Sequence, residues 1–462
     1  MFRILRQDIV ILLLLSIFYF VYGESVDTPS MANVVTMGWF CWFQLFVSIY
    51  GWTSKGNQLL SPYIIFLIAL YVFSNGQSFI WALGFESQRD LIGFHWITIS
   101  EIFRAQIITS EMLAFFQIGA SVYFHRHIQS NYKFQNPIVD TTPYLKQIGW
   151  FLFIVSVVPY CFETISDLVV SMTRGYGSIY GAGEIGLNNL TGFVADYFIP
   201  SVICLLIVYR QNVIVRRFLL MIILVNILVI LLIGGRSNAV ILLALILIIY
   251  NYLVRRFTKK WLLVGVFGVF ALLQVLAFVA QVRVEGNRNS SKMELRVENN
   301  AAVDAVAEMG GTMYCLVKTM ELVPSKYDYR YGRSYAYAFT TLIPNIGFWD
   351  IHPAKKVSNL GDWLTEELSL GYGTGFSMCA EAYINFGYLA FLVFFVWGYF
   401  ISSVFSKIEP ALKSQDYAKL AFMLILFWFF LKLPRNNFIN VIRPIFFIAG
   451  PIYLYCTKFS RR

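Results

Sequence analysis

The chain alternates long apolar runs with short polar segments. A helix needs about 20 mostly apolar residues to cross the hydrocarbon core of a bilayer. Twelve runs approach this length and predict transmembrane helices, at residues 8–23, 34–52, 62–83, 106–124, 148–171, 194–209, 218–233, 238–254, 261–280, 388–405, 420–432 and 438–456. The pattern predicts an all-α polytopic membrane protein with about twelve transmembrane helices, forming a single integral membrane domain over residues 1–462.

The first apolar run is also compatible with a signal sequence, because Arg3 and Arg6 give it a basic start. A cleaved signal sequence ends at small residues in an A-x-A-like pattern. Here the run is followed by Gly23-Glu24-Ser25, which is a poor substitute. We therefore expect a retained helix.

Residues 282–385 form a long polar segment between the predicted ninth and tenth spans. Inside it, one face of a helix is predicted by spacings of three and four, at Val303, Val306, Gly310, Met313, Val317 and Met320. Pro324 ends this helix, and Gly310-Gly311 allows it to kink or to pack closely. Two shorter helices are predicted at residues 334–343 and 362–370. We expect the segment to be a lid on the membrane domain.

Composition agrees with this class. Hydrophobic residues make up 58% of the chain and charged residues 13%, whereas soluble domains carry about 25% charged residues. The formal net charge is +10, but residues 282–385 contain ten Lys and Arg against twelve Asp and Glu. The positive excess therefore lies in short loops beside the spans, and it does not indicate nucleic-acid binding.

The orientation of the chain follows from these basic residues. If the N-terminus is cytoplasmic, every cytoplasmic loop is basic, and the opposite short loops contain far fewer Lys and Arg. An even number of spans returns the C-terminus to the same side. The sequence thus predicts cytoplasmic N- and C-termini and an external lid.

Arginines occupy the outer ends of apolar helices and the start of the lid, at Arg236, Arg283, Arg435 and Arg443. A charge in the middle of a membrane costs on the order of 3 kcal/mol, and less near the interface. Each arginine alone could snorkel to phospholipid headgroups or pair with a carboxylate. As a group they oppose the usual charge bias, and guanidinium groups bind phosphate in a bidentate way. The group predicts a site for a lipid-linked phosphate or diphosphate.

Carboxylates on the same side are candidate catalytic bases, at Glu285, Glu308 and Glu381 in the lid and at Glu163 and Asp167 in the outer half of a span. Glu381 is preferred because it begins a predicted helix near the arginines, although the helix dipole alone would also favour a carboxylate there. The second candidate is His352, in W-D-I-H-P, which could act as the base or bind a sugar hydroxyl.

No sequence motif indicates a metal or a cofactor. Gly371, Gly373 and Gly375 surround Tyr372 in a flexible turn whose backbone can approach a ligand. This turn is not a phosphate-binding loop of the G-x-x-x-x-G-K-[ST] kind, and no D-x-D pattern occurs. The six cysteines are scattered, without metal-ligand spacing or a disulfide pattern.

Four short motifs carry a resemblance to a known family. They are G-G-R-S-N at residues 234–238, the arginine Arg283 after the ninth span, Y-G-R-S-Y at residues 331–335 followed by L-I-P, and G-Y-G-T-G-F-S with A-E-A-Y-I-N-F-G before the tenth span. Together they resemble bacterial oligosaccharide repeat-unit polymerases, the Wzy-type O-antigen polymerases. The resemblance is concentrated in residues 230–390, and the A-E-A-Y-I-N-F-G segment is its most specific part.

The resemblance implies a metal-independent, cofactor-free glycosyltransferase of the GT-C superfamily in the bacterial inner membrane. It would join undecaprenyl-diphosphate-linked oligosaccharides into O-antigen, or a related surface polysaccharide, on the periplasmic face. Arg236 and Arg283 would fall at functional arginines, and a chain-length regulator would be a partner. Lid residues expected to bind glycan are Tyr335, Tyr372, Gly373, Ser377, Tyr383 and Asn385.

Two other functions stay open on the sequence. A flippase for lipid-linked oligosaccharides also has about twelve spans, but such transporters carry related halves and polar residues near the bilayer midplane. No related halves are evident here. A ligase that passes the glycan to another acceptor is closer in chemistry to a polymerase.

Overall fold

The structure, a computed structural model, describes residues 4–87, 90–93, 96–127, 140–174, 188–258, 268, 301–343, 345, 349–370 and 373–459. These residues are mostly helical and include no strand. Ten of their helices are long and apolar enough to cross a membrane, and 237–253 is a shorter apolar helix. The predicted span at 261–280 lies outside the described residues. The predicted class, an all-α polytopic membrane protein, is confirmed.

Before the lid, the structure defines the bounds of these α-helices: α1 (Ile4–Ser25), α2 (Met31–Thr53), α3 (Pro62–Ala82), α4 (Ile99–His127), α5 (Thr142–Arg174), α6 (Asn188–Ala195), α7 (Phe198–Val208), α8 (Val213–Ile233) and α9 (Arg236–Leu253). Their starts follow ordinary capping chemistry. Ser61 accepts from the backbone N–H of Ile64 ahead of Pro62, and Asn212 accepts from that of Val215.

The lid and the C-terminal part contain the remaining described helices: α10 (Ala301–Gly310), α11 (Met313–Leu322), α12 (Arg333–Ala338), α13 (Pro353–Ser358), α14 (Leu360–Glu367), α15 (Met378–Phe386), α16 (Ala390–Phe405), α17 (Ile408–Lys413), α18 (Tyr417–Phe430), α19 (Ile439–Pro444) and α20 (Gly450–Phe459). The helix predicted around Val303–Met320 is two helices, broken where Gly310-Gly311 indicated. The helices predicted at 334–343 and 362–370 correspond to α12 with the turn Phe339–Leu342, and to α14.

Contacts divide the chain into two compact units. Unit 1 comprises Met1–Gln129, Phe257–Gly332 and Phe376–Ser402, and unit 2 comprises Ser130–Arg256, Arg333–Gly375 and Ser403–Arg462. The lid segment is shared between them, since α10 and α11 belong to unit 1 while α12 to α14 belong to unit 2. Its function as a lid over one membrane domain stays a prediction.

In unit 1, helices α4 and α16 cross at two glycines. A Cβ atom added at Gly398 would lie 1.8 Å from the backbone oxygen of Phe116, and one added at Gly119 would lie 2.0 Å from that of Phe395. Small residues let transmembrane backbones approach in this way, where no hydrophobic force acts between helices inside lipid. The two glycines are therefore required by the crossing.

Gly398→Leu is expected to prevent stable folding of unit 1. The new side chain would meet backbone, which cannot rotate away, so the cost should exceed the range of about 1–3 kcal/mol typical of overpacked cores. Membrane accumulation and size-exclusion profiles measure the effect. Val396→Leu is the matched control, because Val396 is 64% exposed on the same helix. A monodisperse Gly398→Leu protein at normal yield would contradict the crossing.

Polar contacts run through the helices of unit 1. Lys55 pairs with Asp8 at 2.6 Å, and the side chains are 1% and 3% exposed. Burial lowers the pKa of Lys55, and the charge of Asp8 opposes that shift. Further along, Tyr19 donates to Gln44, which donates to the backbone oxygen of Ser110. Buried polar groups in a membrane protein need such partners, so these contacts fix how α1, α2 and α4 align.

The lid helix α10 packs on α3 at a kink. Asn75 has non-helical dihedral angles (φ −126°, ψ 15°), and Gly76 follows it. A Cβ atom at Gly310 would lie 2.4 Å from the backbone nitrogen of Gln77, so glycine is needed on the lid side as well. The Gln77 side chain donates to the backbone oxygen of Ala307 at 3.0 Å. This contact attaches the first half of the lid to unit 1.

Candidate functional site

The start of α9 is a tight turn in unit 2. Gly234 has a φ of 107°, which favours glycine, and its N–H bonds to the last turn of α8. The following residues, Arg236 and Ser237, begin α9. The Ser237 hydroxyl accepts from Nη1 of Arg435 at 2.5 Å. The G-G-R-S-N motif therefore positions a hydroxyl beside one of the predicted arginines. The side chain of Arg236 lies outside the described part of the structure.

Cationic side chains gather around the connection from α18 to α19 in unit 2. This connection contains the turn Leu433–Arg435 and carries Lys432 and Arg435. The Lys432 ammonium lies 4.5 Å from the centroid of the Trp428 ring. Arg443, at the end of α19, places its guanidinium carbon 4.8 Å from the centroid of Phe193. We call Lys432, Arg435 and Arg443 the cationic cluster.

A carboxylate accompanies this cluster. Asp196 lies at the break between α6 and α7, where its charge interacts with those of Lys432 and Arg443. The negative charges of Asp196 and Asp167 also interact with that of Glu163. A Glu163 carboxyl oxygen lies 3.0 Å from the position of a Cβ added at Gly192 on α6. Both sequence candidates on α5 thus lie at the same end of unit 2 as the cationic cluster.

The second half of the lid packs on the residues that follow Arg435. Asn437 donates from Nδ2 to the backbone oxygen of Ser358 at 2.7 Å, and the Ser358 hydroxyl donates to the backbone oxygen of Ser334 at 2.7 Å. The ring centroid of Tyr335 lies 5.5 Å from that of Phe438. Helices α12 and α13 are thereby held next to the segment that carries the cationic cluster.

Both ring nitrogens of His352 form hydrogen bonds to the backbone of the lid. Its Nδ1 accepts from the backbone N–H of Ala354 at 3.2 Å and caps α13. With Nδ1 accepting, Nε2 carries the proton and donates to the backbone oxygen of Ile343 at 3.0 Å. Both ring nitrogens are engaged, so a role as base would require His352 to leave both contacts.

The glycine-rich turn lies partly in the described residues. Gly375 has a φ of 66°, and Gly373 is exposed with no atom within 4 Å of an added Cβ. The Thr374 N–H donates to the hydroxyl of Thr365 on α14 at 3.0 Å. Open space at Gly373 fits the predicted approach of a ligand to its backbone. Tyr372 lies outside the described residues.

In unit 1, the motif A-E-A-Y-I-N-F-G forms most of α15, which Ser377 caps, and the turn that follows at Gly387. The Ser377 hydroxyl caps the helix by accepting from the Ala380 N–H at 3.0 Å. Asn385 donates to the backbone oxygen of Glu381 at 2.7 Å. Gly387 has a φ of 56°, and a Cβ there would lie 2.8 Å from the ring of Tyr329. The motif is therefore explained largely by backbone requirements.

Backbone hydrogen bonds join α15 to the segment just before α12. The backbone N–H groups of Arg330 and Tyr331 donate to the backbone oxygens of Ile384 and Asn385, at 2.9 and 3.0 Å. The Tyr383 side chain is 3% exposed, and its hydroxyl donates to the backbone oxygen of Val323 at 3.4 Å. Ser377, Tyr383 and Asn385 are thus buried framework residues in the structure.

The backbone hydrogen bonds at Arg330 also place its positive charge near Glu381. Glu381 is 1% exposed. Burial lowers the pKa of Arg330, and the negative charge of Glu381 opposes that shift. A guanidinium therefore compensates a carboxylate that would otherwise be costly to bury.

The structure assigns the predicted residues as follows. Arg435 and Arg443 lie in unit 2 with Tyr335, His352 and Gly373, while Glu381 lies in unit 1 with Ser377, Tyr383 and Asn385. Arg283 and Glu285 lie outside the described residues. No group of three or more His, Cys, Asp and Glu able to hold a metal ion occurs within the described ranges. Metal independence stays a prediction.

Sequence reasoning missed Lys432, Asp196 and Arg330. Lys432 ends an apolar run in F-W-F-F-L-K-L-P-R, and Asp196 interrupts another in F-V-A-D-Y-F. Both signals were visible as charges at the ends of spans. Arg330 lies among tyrosines in Y-D-Y-R-Y-G, and nothing local to that stretch points to Glu381.

Comparison with protein families decides the affiliation. The model of the family described as O-antigen polysaccharide polymerase Wzy matches residues 7–462. The chain belongs to this family. Membership supports an O-antigen polymerase role and implies a polymerising, glycosyltransferase-type enzyme that acts on lipid-linked oligosaccharide in a membrane. No curated protein and no solved structure matches the chain significantly.

Proposed function

We propose that this Wzy-family protein polymerises undecaprenyl-diphosphate-linked oligosaccharide repeat units on the periplasmic face of the inner membrane. The observation that carries the proposal is the cationic cluster, where Lys432, Arg435 and Arg443 lie at one end of unit 2. The three cations can form charge-assisted hydrogen bonds to a diphosphate, and the carboxyl groups of Asp196, Glu163 and Asp167 lie at the same end of the unit. The polyprenyl chain of the donor would lie in the bilayer, since the cluster stands at the ends of apolar helices.

The reaction needs charge stabilisation at the leaving group. The acceptor hydroxyl attacks the anomeric carbon of the donor, the new glycosidic bond forms, and the bond from that carbon to the diphosphate oxygen breaks. The lipid diphosphate leaves with the electron pair, and the hydroxyl proton passes to a base. Cations fixed beforehand stabilise the negative charge that develops, which is often the largest catalytic contribution.

Each cation of the cluster is held in a defined way. Arg435 is oriented by Ser237, Lys432 by the face of the Trp428 ring, and Arg443 by Phe193. The negative charge of Asp196 interacts with Lys432 and Arg443, which supports a role for Asp196 in positioning these two cations. Preorganised groups lose little entropy when a diphosphate binds.

Glu381 is the base that we propose. Its carboxylate is buried and electrostatically compensated by Arg330, and it begins α15 immediately after the glycine-rich turn. His352 is less suitable because both of its ring nitrogens hold the lid. The backbone of Gly373 and the ring of Tyr335 remain candidates for glycan contact.

The remaining features of the proposal follow the family and the charge pattern. The cluster supplies the charge that a metal ion would otherwise provide, so we propose a metal-independent reaction in a GT-C-type enzyme. The basic loops support cytoplasmic termini and a periplasmic site. A chain-length regulator protein is proposed as a partner.

A deletion strain tests the function. Loss of the polymerase is expected to leave surface glycan capped with a single repeat unit, and the wild-type chain should restore the ladder of longer glycans. Polymer stranded on carrier lipid would instead identify a ligase, and repeat units trapped in the cytoplasm would identify a flippase. Either of these two patterns would overturn the proposal.

A further inference from the structure

A lateral groove in unit 1 has no assigned role. It has a volume of about 760 Å³ and lies between α1, α4 and the start of α16. Its apolar lining comes from Ile17 and Phe20 on α1, Ile107 on α4, and Leu389 and Phe391 on the α16 side. Ile17 and Phe20 are 60% and 63% exposed, so the groove is open along α1.

The length of the groove suits a lipid acyl chain. It extends along α4 from Ser100 to Phe115, about 22 Å at 1.5 Å per residue. One leaflet makes up about 15 Å of the roughly 30 Å hydrocarbon core of a bilayer, so the groove is long enough for an acyl chain.

Charges at one end of the groove specify the headgroup. Arg104, Glu24 and Asp27 line that end, and all three are exposed. Among the described residues, none forms a hydrogen bond or an ion pair with these three side chains. The rim therefore presents one guanidinium and two carboxylates to a ligand.

We propose that this groove binds a phospholipid with a primary ammonium headgroup, such as phosphatidylethanolamine. Arg104 binds the phosphate, Glu24 or Asp27 accepts from the ammonium, and an acyl chain lies along Ile17, Phe20 and Ile107. A zwitterionic headgroup matches both signs of charge at the rim. A polyprenyl diphosphate would place its extra negative charge beside two carboxylates, which makes the groove distinct from the cationic cluster.

A substitution at Glu111 distinguishes a bound lipid from a bound partner helix. It lines the same groove seven residues after Arg104, about 10 Å deeper. A partner helix would be expected to pair a polar or basic residue with this carboxyl group. An acyl chain offers no such partner. Glu111→Leu should therefore leave lipid binding unchanged or strengthen it.

The test measures lipid retention by the purified full-length protein, using native mass spectrometry. The delipidated protein is titrated with phosphatidylethanolamine, with phosphatidylglycerol of the same acyl composition, and with undecaprenyl diphosphate. Preferential binding of phosphatidylethanolamine is expected, and Arg104→Gln and the double variant E24Q/D27N should each weaken it about tenfold or more. Arg333→Gln and Glu366→Gln are the matched controls, since both residues are exposed and belong to unit 2.

A groove-filling variant keeps the test independent of the charges. Ile17→Trp adds volume at an exposed position and should reduce retention while the protein stays monodisperse. Equal binding of phosphatidylglycerol, an Arg104-dependent preference for undecaprenyl diphosphate, or retention lost in Glu111→Leu would each overturn the proposal. The readout is binding alone, so it stands or fails separately from polymerase activity.

Discussion

Arg435→Ala is expected to lower the rate of glycan polymerisation by about 10²–10³-fold, the range seen when one donor to a developing oxyanion is removed. Arg435 is half-buried and already oriented by Ser237. Its guanidinium would meet the diphosphate without further ordering. Rates are measured with purified protein and lipid-linked repeat units, by the glycan ladder on a gel, normalised to protein amount.

Companion variants show whether geometry or charge matters. Arg435→Lys keeps the charge but loses bidentate binding, so an intermediate loss of about tenfold is expected. Arg443→Ala should have a smaller effect than Arg435→Ala, because Arg443 is exposed and its field is screened by solvent. Asp196→Asn should change substrate affinity more than turnover if it only positions Lys432 and Arg443.

The matched control for Arg435→Ala is Arg217→Gln. Arg217 is exposed near the start of α8 in the same unit. The end of α8 leads to Ser237, and the 17 residues from Arg217 to Gly234 span about 25 Å. Arg217→Gln should therefore retain full activity. If Arg435→Ala protein accumulates normally and polymerises at the wild-type rate, the diphosphate site is not at the cationic cluster.

Glu381→Gln is expected to reduce turnover by about 10²–10⁴-fold, the contribution typical of a general base. The amide keeps the shape of the side chain but cannot take the hydroxyl proton. Single-turnover rates with preloaded donor separate this chemical step from binding. Substrate binding in Glu381→Gln should remain close to wild type.

Two variants distinguish a catalytic from a structural role of Glu381. Arg330→Lys retains a positive charge near Glu381 and should keep most of the turnover, with lower protein yield as its main defect. His352→Asn keeps a residue that can cap α13 and should also retain activity. Loss of activity in His352→Asn together with full activity in Glu381→Gln would assign the base to His352 instead.

The most specific motif of the chain turned out to be mainly architectural. A-E-A-Y-I-N-F-G supplies most of α15, the turn at Gly387 and two backbone acceptors for Arg330 and Tyr331. Its apparent specificity arises because several backbone requirements fall on consecutive residues. Within it, Glu381 is the residue whose chemistry exceeds those requirements, since a buried carboxylate is costly and had to be compensated.

The lid illustrates a partial success of sequence reasoning. Helical periodicity predicted a helix around Val303, and the paired glycines marked the break between α10 and α11. Periodicity could not show that Gly310 must be a glycine because α3 kinks at Asn75 and approaches it closely. That requirement belongs to the partner helix, about 230 residues earlier in the chain.

By itself the sequence determined the fold class, most of the spans and the presence of charges at helix ends. These are local properties, because the length and polarity of a run decide whether it can cross a bilayer. Tertiary structure alone decided which charges meet. Arg435 bonds to Ser237 across 198 residues, and Arg330 reaches Glu381 through backbone pairing with α15. Contacts between distant segments depend on how helices pack, and no local pattern encodes them.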